Sequence, residues 1–249
     1  MKVSIITAVY NSSKTIEACM DSVLNQTYED IEYIIVDGGS NTETLDLLNA
    51  AAKKHQNITL SSEPDKGIYD ALNKGVAKAT GAIVGFVHSD DFLADHTIIA
   101  AVVEAFKTQN ADGVYGDLHY VALENTDKII RNWVSNPFSS KLLKQGWMPA
   151  HPTLYLKKEV YNTYGGFDLS FKIAADYDFI LRIFKQKDLN FYYLPKTIVK
   201  MRVGGASNKS LKNILQKSKE DYRAIKNNKT GNWLTILQKN VSKLKQFKA

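Results

Sequence analysis

The sequence has little of what marks a secreted or membrane-spanning protein. Its 249 residues include a single cysteine, Cys19, so an internal disulfide is excluded and a reducing compartment is expected. Its apolar runs are far shorter than the ~20 residues that a membrane span requires. Met1-Lys2 leads directly into an apolar strand pattern rather than into a signal peptide. These absences predict a cytoplasmic protein that does not cross a bilayer and that keeps Cys19 as a buried structural thiol.

Acidic residues are scarce at the C-terminal end. Residues 207–249 hold eleven Lys and Arg but only two Asp and Glu, a balance of +9. Since the whole chain carries +6, residues 1–206 carry −3. A mildly acidic body followed by a strongly basic segment predicts that the segment meets an anionic partner.

The first half of the chain alternates strand and helix patterns. Short apolar, β-branched runs predict strands, and apolar residues three and four positions apart predict helices between them. Asn11 is a candidate N-cap for the first helix, in which Ile16, Met20 and Val23 share a face. The other predicted elements are strands at Ser4–Val9, Ile31–Val36, Ile58–Leu60, Ala82–Val87 and Val114–Tyr120, and helices at Thr44–Lys54, Ile68–Ala79 and Thr97–Thr108. This order predicts an α/β fold with a mostly parallel sheet and helices on both faces.

The second half is less regular and is interrupted by prolines. Its predicted elements are a helix at Asp176–Gln186, a strand at Phe191–Val203, and two closing helices at about 209–228 and 232–248. In the last helix, residues placed at ~100° intervals put an apolar set within an arc of roughly 160°. That set is Trp233, Leu234, Ile236, Leu237, Val241, Leu244 and Phe247, flanked by Lys239, Lys243 and Lys245. Such a helix packs on the body or lies in a membrane interface, and the +9 balance favours the membrane.

Polar residues follow three of the predicted strands. Ligands of such sheets bind outside the carboxyl ends of the strands, where Tyr10, Asp37 and the run Ser89-Asp90-Asp91 are expected. Two adjacent carboxylates after a buried strand favour Mg²⁺ or Mn²⁺, which prefer oxygen ligands. Acids also stabilise the first turn of a helix, so a metal site and a helix cap are about equally supported by this run alone.

The other candidate residues are ambiguous when taken singly. Asp37 is a ligand acceptor or an ordinary turn acid, and the lack of a GxGxxG motif argues against a dinucleotide oxidoreductase. Asp176 is a helix-capping acid or a general base. Lys74 lies on a polar helix face, which is a ligand contact or a solvated surface. His151, between two prolines, donates to a phosphate or to loop backbone.

Five motifs together resemble a known family. They are ITAVYN (6–11), VDGGS (36–40), DKGIYDALNKG (65–75), ATGAIVGFVHSDD (79–91) and AADYDFILR (174–182). Their order and spacing closely resemble the inverting glycosyltransferases of family 2 over roughly residues 2–207. The resemblance implies a GT-A fold with a nucleotide-sugar-binding half (1–120), an acceptor-binding half (121–206) and a basic amphipathic helical tail (207–249).

The resemblance also implies roles for the donor-binding residues. Tyr10 would lie against the nucleotide base and Asp37 would hydrogen-bond it, while Asp65 would help to hold the nucleotide. Asp90 would face the ribose or the metal. His151 and Lys74 remain candidate contacts to the diphosphate or the acceptor.

The catalytic roles implied by the resemblance fall on two acids. Asp91 would ligate Mn²⁺ or Mg²⁺ at the diphosphate, and Asp176 would be the general base of a single inverting displacement. By analogy the donor is a UDP-sugar and the acceptor a growing polysaccharide or lipid-linked glycan. The partners expected are this donor, this acceptor and an anionic membrane surface at the inner face of the cytoplasmic membrane, with no nucleic acid.

The sequence departs from the family pattern at two places. His88 stands where many relatives have Asp or Asn, which removes one acidic residue from the metal region. Residues 36–44 are VDGGSNTET, whereas the commoner sequence has Ser-Thr-Asp-Gly after the second glycine. The GGAS run at 204–207 resembles a family loop near the diphosphate.

Two other classes compete with a glycosyltransferase. A nucleotidyltransferase would need a glycine-rich, basic triphosphate loop after the first strand, where this chain has AVYNSSKT. A catalytically silent nucleotide-sugar-binding subunit would be expected to lack Asp91 or Asp176, and both are present. The sequence therefore favours the transferase.

Overall fold

The computed structural model describes residues 1–204 and 211–244, and side chains at 211–212 and 242–244 are not considered. The strands are β1 (Val3–Val9), β2 (Ile31–Asp37), β3 (Ile58–Ser62), β4 (Ile83–Phe86), β5 (Asp91–Leu93), β6 (Gly113–Val121), β7 (Ile129–Trp133), β8 (Tyr155–Lys157) and β9 (Phe191–Arg202). The helices are α1 (Ile16–Leu24), α2 (Thr42–Lys54), α3 (Ile68–Lys78), α4 (Ile98–Gln109), α5 (Ser140–Lys144), α6 (Lys158–Tyr164), α7 (Ala175–Phe184), α8 (Leu211–Asn228) and α9 (Trp233–Leu244), with a 3-10 turn at His151–Thr153.

The strands form one sheet in the order β3-β2-β1-β4-β8-β6-β9-β5, with β7 paired to β6. The neighbours β3, β2, β1 and β4 all run parallel, as the β-α alternation predicts. Beyond β4, strand β8 pairs antiparallel with both β4 and β6. Strand β9 then pairs parallel with β6 and antiparallel with β5. The carboxyl ends of β1, β2 and β4 therefore meet at one edge.

Two buried clusters cover the two faces of this sheet. Alternate residues of β1 point to opposite sides, so that Ile6 packs with Leu72 of α3 and with α7, while Ile5 packs with Met20 of α1 and with α4. A strand that is buried on both faces usually has a nearly continuous apolar sequence, and β1 and β2 have such sequences. The predicted helices on both faces are confirmed. Cys19 is fully buried, which raises the pKa of its thiol to about 12, as expected for a structural residue.

The start of the first helix was predicted wrongly. Asn11 does not cap α1, which begins at Ile16 after Thr15. Asn11 instead adopts a positive φ of 49°, and its side-chain oxygen accepts a hydrogen bond from the backbone N–H of Asn41 at 2.8 Å. Asn is among the few residues that tolerate this conformation, and here it joins the end of β1 to the start of α2.

The closing helices α8 and α9 are confirmed as helices, and several apolar residues of α9 are exposed while one of its lysines is buried. Lys239 and Thr235 are buried against the protein, whereas Trp233, Leu237 and Val241 are exposed. A Cβ at Gly146 would lie 2.6 Å from the carbonyl oxygen of Thr235, so the α5 end and α9 approach closely. The expectation that Lys239 lies among lipid headgroups is wrong, because this lysine faces the core. Residues 205–207 of the GGAS run and residues 245–249 lie outside the described residues.

Candidate active site

Three strand ends form the first part of the site. Because β1 pairs in parallel with both β2 and β4, the residues that follow them lie at a common edge. Tyr10 follows β1 with 65% of its surface exposed, and its ring is free to meet a flat ligand. Asp37 ends β2, and Asp90 follows β4 in a half-buried position. The structure therefore brings together Tyr10, Asp37 and Asp90, as the sequence predicts.

Asp37 is fully buried and organises the turn after β2. Its Oδ2 accepts hydrogen bonds from the backbone N–H groups of Gly39 at 3.1 Å and Ser40 at 3.0 Å, and from the Ser62 hydroxyl at 2.7 Å. Its Oδ1 has no hydrogen-bond partner among the described residues. Buried carboxylate oxygens normally have partners, so this Oδ1 is an acceptor that the described residues leave unsatisfied.

The loop before α3 lies over the same turn. A Cβ at Gly38 would collide with the carboxylate of Asp65, so only glycine allows this approach. Asp65 is held in place by the backbone N–H of Gly67, which donates to Oδ1 at 2.8 Å. Lys74 stabilises the loop from α3, since its ammonium lies 3.2 Å from Glu63 and donates to the Pro64 carbonyl at 3.1 Å. The ammonium also lies 3.6 Å from Asp70 of α3, so Lys74 connects this loop to its own helix.

Asp91 lies at the start of β5, not at a helix. The helix-cap interpretation of the acidic run is wrong, because the next helix, α4, begins only at Ile98. Asp91 is 1% exposed, and its Oδ1 accepts a hydrogen bond from the backbone N–H of Arg202 at 3.2 Å. Burial and the neighbouring Asp90 raise the pKa of Asp91 well above its ordinary value. Its Oδ2 has no hydrogen-bond partner among the described residues.

Asp176 lies in the first turn of α7, with its side chain 17% exposed. Ala174 occupies the N-cap position, and the Asp176 carboxylate is turned toward other elements instead. The Tyr69 hydroxyl is 3.1 Å from Oδ1, and His151 Nδ1 is 3.2 Å from Oδ2. Tyr69 comes from α3 and His151 from the 3-10 turn, so three elements converge on this carboxylate. Sequence reasoning missed Tyr69, although it lies within the motif DKGIYDALNKG.

A second imidazole connects Asp176 to the edge formed by the carboxyl ends of β1, β2 and β4. His88 Nε2 lies 2.7 Å from His151 Nε2, and His88 directly follows β4 and Val87. Burial, with a smaller contribution from the neighbouring His151, lowers the pKa of His88 to about 3. Burial also lowers the pKa of His151, with partial compensation from Asp176. Both rings are therefore neutral at neutral pH. The predicted loop-backbone role of His151 is replaced by contact with Asp176.

The C-terminal helices surround the segment that carries Asp176. Glu220 of α8 accepts hydrogen bonds from three successive backbone N–H groups, those of Lys172 at 3.1 Å, Ile173 at 2.8 Å and Ala174 at 3.0 Å. On the other side, the Asn228 amide donates to Asp178 at 2.8 Å. Residues on both sides of Asp176 are thus fixed by α8.

A buried ion pair joins α8 to α9 beneath the same segment. Lys239 Nζ lies 2.9 Å from Asp221 Oδ1, with both side chains at most 5% exposed. The ammonium also lies 3.0 Å from the ring centroid of Tyr177, next to Asp176. Glu220 and Asp221 are the two acids of residues 207–249, and both bind the protein itself. Their isolation in a basic segment is the sequence feature that could have identified them.

Comparison with known proteins decides the family. The family model described as Glycosyl transferase family 2 matches residues 4–169. This chain belongs to glycosyltransferase family 2. It is 32% identical over 208 residues to the PGL/p-HBAD biosynthesis glycosyltransferase of Mycobacterium tuberculosis, covering 82% of this chain and 78% of the relative. It is also 32% identical over 181 residues to the chondroitin synthase of Escherichia coli, covering 73% of this chain and 26% of that protein.

Solved structures of related glycosyltransferases share the fold. TarS 1–349 of S. aureus in complex with UDP-GlcNAc has a TM-score of 0.72 at 18% identity, covering 92% of this glycosyltransferase and 65% of the TarS chain. The mannosyltransferase PcManGT of Pyrobaculum calidifontis, in complex with GDP-Man and Mn²⁺, has a TM-score of 0.65 at 18% identity, covering 91% and 63%. At such identities the likeness shows the fold alone, and it confirms the predicted GT-A architecture.

The described residues of this glycosyltransferase contain neither a membrane-spanning helix nor a cluster of three metal-ligating side chains. No helix within residues 1–204 and 211–244 has the length and apolarity needed to cross a membrane. In the same residues, no group of three or more His, Cys, Asp or Glu side chains is arranged to hold a metal ion.

Proposed function

We propose that this glycosyltransferase moves a sugar from a nucleoside-diphosphate donor to an acceptor hydroxyl with inversion, and that Asp176 is its general base. One observation carries the proposal: Asp176 is linked through His151 to His88, directly after β4. The carboxylate that would take the acceptor proton is thus placed beside the strand ends where the donor would bind.

The donor site uses the residues at the carboxyl edge of the sheet. Tyr10 would stack on the nucleotide base, and the unpartnered Oδ1 of Asp37 would accept a hydrogen bond from its edge. Asp65, held over the turn, would contact the same nucleotide, and Asp90 would meet the ribose or the metal. UDP is the favoured nucleotide, since TarS was solved with UDP-GlcNAc.

Mn²⁺ or Mg²⁺ fits the acidic pair after β4. Asp91 has a buried oxygen without a hydrogen-bond partner among the described residues, and Asp90 beside it is accessible. Two neighbouring carboxylates repel each other unless a cation offsets their charge, and hard oxygen ligands suit these ions. Asp91 and Asp90 would hold the metal, which supplies charge neutralisation for the departing diphosphate. The PcManGT structure contains Mn²⁺, which supports this assignment.

The transfer itself is a single displacement. Asp176 takes the proton of the acceptor hydroxyl as that oxygen bonds to the anomeric carbon. The bond from this carbon to the diphosphate oxygen breaks, and the nucleoside diphosphate leaves with the electron pair. Attack from the face opposite the leaving group inverts the anomeric centre, with oxocarbenium character in the transition state. Tyr69 and His151 fix the orientation of the Asp176 carboxylate before the acceptor binds, which preorganises the base.

A donor screen tests this function. Purified protein would be incubated with UDP- and GDP-sugars and lipid-linked or oligosaccharide acceptors, and released nucleoside diphosphate would be measured with and without Mn²⁺. The proposal expects acceptor-dependent release with at least one donor, lost in chelator. Hydrolysis of nucleoside triphosphates with no release from any nucleotide sugar would favour a nucleotidyltransferase instead.

The acceptor is proposed to be a growing polysaccharide or a lipid-linked glycan at the cytoplasmic face of a membrane. Exposed apolar residues of α9 support such contact, among them Trp233, Leu237 and Val241. They lie within residues 207–249, which carry a net charge of +9. The buried Lys239 takes no part in this contact. The lipid-facing side of α9 is therefore its exposed apolar side.

A further inference from the structure

The pair His88 and His151 has a defined hydrogen-bond direction. Asp176 is a carboxylate that only accepts, so the 3.2 Å contact at Oδ2 requires a proton on His151 Nδ1. Because burial keeps the ring of His151 neutral, its Nε2 then carries no proton and accepts. The two Nε2 atoms are 2.7 Å apart, so they share a hydrogen bond. Its proton must therefore be on His88 Nε2.

The remaining nitrogen of His88 agrees with this assignment. In a neutral His88 with its proton on Nε2, Nδ1 is bare. Nδ1 is buried and has no hydrogen-bond partner among the described residues. An unpartnered nitrogen at this place is costly in either tautomer, so the assignment rests on the donor that Asp176 requires from His151. The hydrogen bonds therefore run from His88 to His151 to Asp176.

The two oxygens of Asp176 are held unequally. Oδ2 receives the N–H of His151, whereas Oδ1 shares the single proton of Tyr69 with the carbonyl oxygen of Ile173. The contact of Tyr69 with Ile173 is the shorter, at 2.7 Å against 3.1 Å with Asp176. Oδ1 is therefore the oxygen with spare capacity to accept a proton from a substrate hydroxyl.

We propose that His151 is a positioning residue of the sugar transfer, fixed by His88 as the Nδ1–H tautomer so that it holds Oδ2 of Asp176 and leaves Oδ1 to the acceptor. This inference rests on the proposed function of Asp176 as the base. It gives His88, the departure from the family pattern at the end of β4, a role that an aspartate could not fill, because a carboxylate cannot donate to His151 Nε2.

The tautomers can be measured without any activity assay. Long-range ¹H–¹⁵N correlation spectra of protein labelled at its five histidines would be assigned with single His variants. The proposal expects His151 protonated at Nδ1 alone and His88 at Nε2 alone at neutral pH. His151 protonated at Nε2, or at both nitrogens, would overturn it.

Two substitutions then separate positioning from packing. His151→Asn keeps an N–H near the Nδ1 position, whereas His151→Gln places its amide near Nε2 and loses the contact with Asp176. We expect His151→Gln to lower kcat on the order of 10²-fold, the effect of misplacing a catalytic group by about 1 Å. His151→Asn should restore most of that loss, and KM for the donor should stay unchanged in both. The exposed His96→Gln is the matched control and should behave as wild type.

The outcomes distinguish the inference from the proposed function. Equal kcat in His151→Asn and His151→Gln, whether both normal or both low, would overturn the positioning role. A normal kcat in Asp176→Asn would refute the base assignment, and the positioning role with it. A low kcat in Asp176→Asn together with a normal kcat in His151→Gln would refute the positioning role alone.

Discussion

Replacing Glu220 by glutamine tests whether α8 holds the segment that carries Asp176. Oε2 of Glu220 accepts from Ile173 and Ala174, and Oε1 accepts from Lys172 and from the side chain of Gln216 at 3.0 Å. Burial alone would raise the pKa of Glu220, but these hydrogen bonds outweigh it, and the pKa lies below its ordinary value. The charge of Glu220 is therefore stabilised by the backbone that it binds.

The expected magnitude follows from the lost acceptor. Glutamine keeps one carbonyl oxygen, which can retain Ile173 and Ala174, but its NH₂ group then faces the donors of Lys172 and Gln216. Losing a hydrogen bond to a charged group costs ~1.5–3 kcal/mol, so the free energy of unfolding should fall by about 2 kcal/mol. Since residues 172–174 lead directly into α7, kcat should fall on the order of tenfold to a hundredfold with little change in donor KM.

Urea unfolding and steady-state kinetics measure both effects on the same protein. Glu159→Gln is the matched control, since Glu159 is an exposed acid of α6, and it should leave stability and kcat unchanged. If Glu220→Gln matches Glu159→Gln in both measurements, α8 does not position the catalytic segment. A loss of stability with normal kcat would restrict Glu220 to a structural role.

Four further predictions concern the ion pair, the acidic pair and α9. Lys239→Met should destabilise the protein by ~3–5 kcal/mol in urea unfolding, because it leaves Asp221 buried without its partner, and Lys239→Met with Asp221→Leu should recover much of the loss. Burial lowers the pKa of Lys239 from 10.5 to about 8. Between these pH values the unfolded chain binds more protons than the folded protein, so the free energy of unfolding should rise with pH. This rise should be seen in wild type but not in Lys239→Met. Asp91→Asn should abolish transfer in a folded protein, and full wild-type activity in excess chelator would contradict metal dependence. Trp233→Ser with Leu237→Ser should remove co-sedimentation with anionic vesicles, and equal partitioning of wild type to neutral vesicles would show that α9 is a packing element only.

Point substitutions on α9 are preferable to its deletion. Removing residues 232–249 would remove Lys239 and uncover the Asp221 and Tyr177 side chains that it contacts. Loss of vesicle binding in such a truncated protein would then report unfolding as well as lost contact. Exposed Trp233 and Leu237 can be changed without disturbing this ion pair.

The longer elements of the fold were predictable because their patterns are local. β1 and β2 are continuous apolar runs, and α2 and α3 show regular helical spacing, so their positions follow from a few neighbouring residues. The strands that sequence reasoning missed are short: β5 and β8 have three residues each, and β7 has five. Their pairing is determined by distant strands, as when β8 joins β4 to β6, and no local pattern carries that information.

The site was predictable to a similar extent. Asp37, Asp90 and Asp91 follow buried strands, so parallel pairing alone brings them to one edge. The contacts of Asp176 were not predictable, because Tyr69 lies 107 positions away. For α9, the helical wheel grouped the apolar residues correctly, but it placed Lys239 outside their arc as an exposed lysine, whereas the structure buries it. The buried Asp221 draws Lys239 inward, which is an electrostatic contact that apolar periodicity does not register.

The central claim is that Asp176 is the base of a sugar transfer, and Asp176→Asn tests it most directly. The measurement is the turnover of the best nucleotide-sugar donor with its acceptor, alongside binding of the nucleoside diphosphate to the same protein. Asparagine keeps the size of the side chain but cannot take the acceptor proton. We predict that kcat falls by at least ~10²-fold, the usual effect of losing a general base, while nucleotide binding is unchanged. Turnover near the wild-type value with intact binding would contradict the account.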